Sequence, residues 1–169
     1  ADGLRSRRIR KDDAWYCVNS SILRAIQYPL TATSLTRDQC SKVMAPILKA
    51  LLSSVKVQSN LSRTLVYAPA KFQCLAIDDT WAIQLIKHLH CILRHCSRDT
   101  VTGYKILSNM ENLTLELGSG TSFWDLDYTL WECLATPSWI TYTWRELDKT
   151  ELSLRGPMEL LKPQRVDDV

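Results

Sequence analysis

Apolar residues recur at helical spacing along most of this chain. Val18, Ile22 and Ala25 share one face, with Trp15 a turn earlier, which predicts an amphipathic helix from about Asp12 to Ile26. Asp12 and Asp13 suit the positive end of its dipole. Pro29 closes the segment, and Tyr28 before it is expected to be extended. A second helix is predicted from Arg37 to about Ser53, carrying Cys40, Val43, Met44, Ile47, Leu48 and Leu51 at helical steps. Thr36 with Gln39 three residues on has the spacing of a capping box, and Pro46 should kink the helix interior.

Residues 54–64 are polar and read as a loop. Leu65-Val66-Tyr67 and Phe72 to Ile77 are short apolar runs around Pro69, open to reading as a short β-hairpin or as extended packing segments. Helical period returns with Trp81, Leu85, Leu89, Ile92 and Cys96, predicting a helix from Asp79 to Cys96 with Asp79 in its cap or first turn. Asp99 and Thr100 start the next helix, with Ile106, Leu107, Met110, Leu113 and Leu117 on its stripe and Gly118-Ser119-Gly120 as its stop. Gly103 near its start is suited to close backbone approach. A fifth helix is expected near Ser122 with Trp124, Tyr128 and Trp131 on one face. A sixth would be capped by Thr136, with Pro137 first in the helix and Ile140, Trp144 and Leu147 aligned. The expectation is an all-α fold: a basic arm over residues 1–11, one domain of about six helices over 12–148, and a polar tail over 149–169.

The size of 169 residues suits one domain, and 46% apolar with 23% charged residues is an ordinary globular balance. No run reaches the roughly 20 apolar residues of a membrane span. The net charge of +3 is too small to imply a nucleic-acid partner by itself. Its distribution is more informative, because Arg5, Arg7, Arg8, Arg10 and Lys11 crowd the first residues. Such an arm can neutralise phosphates or be a solvated terminus.

Six cysteines and three Asn-x-Ser/Thr triplets, at Asn19, Asn60 and Asn112, raise a secreted, disulfide-linked and glycosylated alternative. Against it, the cysteines are spread singly along apolar faces, where a free thiol acts as a small hydrophobe. Asn19 and Asn112 fall within predicted helices. The preferred reading is a reduced, intracellular protein, nuclear or cytoplasmic.

Candidate chemistry is thin. His88, Cys91 and His95 share a helical face, but His88 and His95 lie about 10 Å apart along the axis, too far for one zinc ion to take all three easily. Asp78-Asp79 has the look of a paired metal-binding carboxylate, yet helical rather than strand periodicity follows it. No phosphate-cradling Gly-rich loop, nucleophile elbow or His-Glu-x-x-His is present. Six Trp and six Tyr suit core or partner packing better than base stacking. The sequence therefore offers no catalytic residue, no metal site and no cofactor.

An ordered set of short motifs is similar to one family. They are Ala14-Trp15, Asn19, Tyr28-Pro29-Leu30, Ala32-Thr33, Cys40 and Met44-Ala45-Pro46-Ile47-Leu48, then Arg63, Leu65-Val66-Tyr67 and Pro69, and Lys71 to Ile77. His88, Leu93-Arg94-His95, Thr102-Gly103, Met110-Glu111, Leu113 to Gly118, Trp139-Ile140 and Thr143-Trp144 complete the order. Together they resemble the region after the polymerase palm in retrotransposon reverse transcriptases of diatoms and related algae. Where that family carries Gly-Leu-Gly this chain has Cys74-Leu75-Ala76, so a turn needing positive φ is expected to be altered. The resemblance implies a thumb-like or connector module without catalysis of its own, since fingers and palm are absent from the sequence. Such a module would position an RNA–DNA or DNA duplex through phosphate contacts. Arg5, Arg7, Arg8, Arg10, Lys11, Arg24, Lys42, Lys49, Lys71 and Arg94 are the residues it nominates. The other reading is a helical protein-interaction subunit that has lost the nucleic-acid role and docks a partner through its Trp-rich helices.

Overall fold

The computed structural model describes residues 10–152 and 154. Arg5, Arg7 and Arg8 of the basic arm, and all of the tail beyond residue 154, lie outside the described residues. The described chain is all-α, without a strand. The contacts of the described residues gather into two compact units, divided between Ile86 and Lys87.

The first unit opens with α1 (Lys11–Cys17), a π turn (Val18–Ile22), α2 (Leu23–Gln27) and a 3-10 turn (Tyr28–Ala32). The sequence predicted one regular helix here. The π turn falls where Asn19 Nδ2 and Ser20 Oγ donate to the carbonyls of Trp15 and Tyr16, at 3.1 and 2.7 Å. Those acceptors are the ones an α ladder uses, so the side chains compete with it. Tyr28 is helical, with φ −57° and ψ −52°, rather than extended. Pro29 is tolerated because it stands at the start of the 3-10 turn, where its missing N–H costs little. Buried Leu30 anchors that turn, and extended backbone begins only at Thr33.

Helix α3 (Arg37–Ser54) starts on the predicted capping box: Thr36 Oγ1 accepts from Gln39 N at 3.3 Å, and Gln39 Oε1 from Thr36 N at 2.9 Å. Cys40, Met44, Leu48 and Leu51 are buried, whereas Val43 stays exposed. Met44, Leu48 and Leu51 join Ala14, Val18, Leu23, Val66 and Ile77 in one apolar core.

The apolar runs around Pro69 form no hairpin. Residues Arg63–Tyr67 are a single helical turn, α4, which turns only Val66 fully inward and leaves Leu65 exposed. A 3-10 turn (Ala70–Phe72) follows, and the chain then doubles back as an extended packing segment. Leu75 N, Ala76 N and Ile77 N donate to the carbonyls of Leu65, Ala68 and Val66, at 3.1, 3.1 and 3.0 Å. The returning segment thus satisfies acceptors that a helix end leaves unpaired. Trp15 Nε1 donates to Leu75 O at 3.0 Å and pins the same segment.

Two non-glycine residues, Gln73 at φ 59° and Ala76 at φ 50°, make this reversal. Ala76 thus holds a positive φ without being a glycine. A left-handed alanine costs about 1–2 kcal/mol, against an unfolded-state penalty for glycine of roughly 0.5–1 kcal/mol. Ala76→Gly is accordingly expected to stabilise the protein by about 0.5 kcal/mol, read as a higher urea midpoint at unchanged slope. A lower midpoint would mean that Ala76 is unstrained.

Helix α5 (Thr80–Cys96) is capped by Asp79, whose Oδ1 accepts from Trp81 N at 3.1 Å. Buried Gln84 pairs with the backbone of Leu35 in both directions, accepting from its N at 3.0 Å and donating to its O at 2.9 Å.

The second unit takes the rest of α5, then α6 (Val101–Leu117), a 3-10 turn (Phe123–Asp125), α7 (Tyr128–Trp131) and α8 (Trp139–Lys149). Thr100 caps α6 by accepting from Gly103 N at 3.1 Å, and Gly118 ends it at φ 62°. The predicted fifth helix is broken. Leu126 is extended, and Asp127 begins α7 afresh by accepting from Thr129 N at 2.8 Å. The last helix is capped by Ser138, not Thr136, because Ser138 and Thr141 exchange the bonds of a capping box. Thr136 N donates instead to Glu116 Oε2 at 3.0 Å. Lys149, assigned from sequence to the tail, is the last residue of α8.

The core of this unit is aromatic. Trp144 is buried, edge-on to Phe123 and Tyr128 with centroids at 5.6 and 5.0 Å. Phe123 and Trp124 lie at 4.4 Å.

Candidate functional site

The chemistry that the sequence suggested in α5 is structural. His88 is fully buried, its Nδ1 lies 3.1 Å from Thr143 Oγ1, and Trp139 and Tyr142 meet its ring edge-on. Burial pushes the Cys91 thiol up, and burial followed by the nearby Cys91 does the same at Cys96. Such thiols are poor sources of the thiolate that metals bind. Among the described residues no group of His, Cys, Asp and Glu is arranged to hold a metal ion. Asp78 accepts from Gln27 Nε2 at 2.8 Å, and Asp79 is the cap of α5, so the two aspartates have separate structural tasks. All six cysteines are free thiols.

The nominated cations are distributed unevenly. Arg10 and Lys11 stand exposed at the start of α1. Arg24 donates to Gln27 Oε1 at 3.3 Å, and Lys71 lies 4.9 Å from the ring centre of Phe72. Arg94 is exposed on the part of α5 that belongs to the second unit. Lys42 and Lys49 differ: they are exposed on one long helix, about 20° apart in azimuth and about 10 Å along its axis.

Two cavities lie beside α3, both within the first unit. The larger, about 270 Å³, is lined by Lys49 and Arg63 together with Ala45, Leu52, Ser59 and Asn60. The smaller, about 210 Å³, takes Arg37, Asp38, Ser41 and Arg63 with Tyr67, Asp79 and Thr80 among its walls. Arg63 is common to both, and Arg37, Ser41, Ala45 and Lys49 follow one i, i+4 row of α3. The helix thus presents a row running from Arg37 to Lys49, about 18 Å long, with Arg63 facing it from α4.

Among the described residues Arg37, Lys49 and Arg63 make no ion pair. The Arg37 guanidinium lies 5.1 Å from the ring centre of Trp81, which orients it without neutralising it. Arg37 and Arg63 are the functional candidates that the sequence reading did not nominate. Arg37 was within reach of it, since it shares the i, i+4 row of Lys49. Arg63 was not, because it joins the row only through the folding of α4.

No family model, curated protein or solved structure matches the chain. Among the described residues no helix is long and apolar enough to cross a membrane.

Proposed function

We propose that this protein is a non-catalytic nucleic-acid-binding module that positions an RNA–DNA or DNA duplex by phosphate contacts, in the nucleus or cytoplasm. The observation that carries the reading is the row Arg37–Lys49 with Arg63 opposite it, whose cations make no ion pair among the described residues. Unpaired cations spaced along one helix can each replace a counterion on a nucleic-acid backbone, and they need no base contacts to do so. Its descent from a reverse-transcriptase thumb or connector is part of the same proposal and rests on the motif order. For the interaction-subunit alternative, Trp124 and Trp144 are buried in the second unit's core and only the half-buried Trp131 and Trp139 are left to offer a partner.

The test is a salt titration of duplex binding. If Arg37, Lys49 and Arg63 each meet a phosphate, the logarithm of affinity falls against that of salt with a slope of about −3. Lys49→Ala should weaken binding alike on all sequences and reduce that slope by about 1. Absence of duplex binding even at low salt would remove the proposal.

A further inference from the structure

The smaller cavity has features that a plain phosphate contact does not use. It combines two guanidiniums, Arg37 and Arg63, with two carboxylates, Asp38 and Asp79. Its wall includes Thr80, only 2% exposed, whose hydroxyl has no hydrogen-bond partner. A buried, unsatisfied hydroxyl is costly unless a ligand completes it. Tyr67 stands beside it. Burial and Asp79 hold the phenol's pKa up against the pull of Arg63 and Arg37, so it remains a donor at neutral pH. A simple anion would be attracted by the arginines and repelled by Asp38 and Asp79. A group carrying both a negative charge and a neighbouring hydroxyl donor would suit all of them.

We propose that this cavity seats one ribose-phosphate unit of an RNA strand, with Arg37 and Arg63 on the phosphate and the Asp79 carboxylate accepting from the ribose 2′-hydroxyl. The volume of about 210 Å³ is below that of typical sites for drug-sized ligands and suits a single sugar-phosphate. One carboxylate oxygen of Asp79 already accepts from Trp81 N, and the other is left for the sugar. The 2′-hydroxyl is the group by which a protein tells RNA from DNA at a given position. This inference rests on the nucleic-acid reading above and adds a strand preference that backbone contacts alone do not give.

The experiment uses the full chain and three fluorescein-labelled duplexes of one sequence: an RNA–DNA hybrid, a hybrid whose RNA strand carries 2′-fluoro in place of 2′-hydroxyl, and a DNA duplex. The 2′-fluoro strand keeps an RNA-like helix but cannot donate. The hybrid should bind about tenfold more tightly than either of the others, the factor a hydrogen bond to a charged group supplies. Arg37→Ala and Arg63→Ala should weaken all three. Asp79→Asn, which keeps a good helix cap, should bring the hybrid close to the DNA duplex. Equal binding of the hybrid and its 2′-fluoro form, or a preference that survives Asp79→Asn, would overturn this site while leaving duplex binding intact. Binding of none of the three would overturn both proposals. A circular-dichroism melt of each variant ensures that lost binding is not lost folding.

Discussion

Trp144→Ala is expected to cost about 4 kcal/mol of stability, the largest effect of any single side chain considered. Trp144 is 2% exposed, and its indole contacts Phe123 and Tyr128 edge-on. Removing a buried aromatic loses the transfer energy and leaves a cavity, together roughly 3–5 kcal/mol. Its Nε1 also donates to Leu126 O at 3.1 Å, so truncation orphans an acceptor where the chain bends between the 3-10 turn and α7. Trp144→Phe separates the two contributions: it keeps most of the ring and loses the hydrogen bond, for a cost of about 1–2 kcal/mol. Urea denaturation followed by circular dichroism measures both. A loss below about 1 kcal/mol for Trp144→Ala would show that the second unit does not depend on this ring. Against a typical total of roughly 5–15 kcal/mol, the expected loss is between about a quarter and four fifths of the whole.

Gly103→Ala should lower stability by about 2–3 kcal/mol, although alanine is the better helix former. A Cβ at this position would lie 2.5 Å from His95 O and 2.6 Å from Arg98 O. Both are backbone atoms, so neither can swing aside as a flexible side chain would. The start of α6 would have to move from the end of α5, at a cost of about 3 kcal/mol or more. Helix propensity returns only about 1 kcal/mol, and the clash decides the sign. The thermal midpoint of Gly103→Ala against the parent protein checks it, and an unchanged or raised midpoint would show that α6 is free to shift.

These two positions also show how unevenly the fold can be read from sequence. Gly103 stood out because a glycine in the first turn of a helix has few other uses. Helix α3 was equally legible, since Thr36 and Gln39 have the capping-box spacing and Cys40, Met44, Leu48 and Leu51 keep one period over its length. Asp79 and Thr100 were likewise recognisable as helix starts. The failures fall where a side chain competes with the backbone for one acceptor or donor. The π turn at Val18–Ile22 coincides with the Asn19 and Ser20 bonds, Asp127 restarts the helix that Trp124 and Trp131 seemed to share, and Ser138 takes the cap assigned to Thr136. Each depends on which local hydrogen bond forms, and periodicity is blind to that.

The candidate site divides along the same line. Lys42 and Lys49 share a face because a helix repeats every 3.6 residues, and the sequence was sufficient to pair them. His88 invited a metal reading that burial against Thr143, Trp139 and Tyr142 replaces with a structural one. By itself, then, the sequence determined the all-helical class, most helix positions, the close approach at Gly103 and the shared face of two lysines. All of these follow from spacing within one segment. Only the tertiary structure decided that Arg63 comes to face Arg37 and Lys49, and that Tyr67, Asp79 and Thr80 close a cavity with them. That convergence depends on the left-handed reversal at Gln73 and Ala76, which returns the chain onto α4 before α5 begins. It brings residues distant in sequence together by long-range packing, which no local pattern encodes.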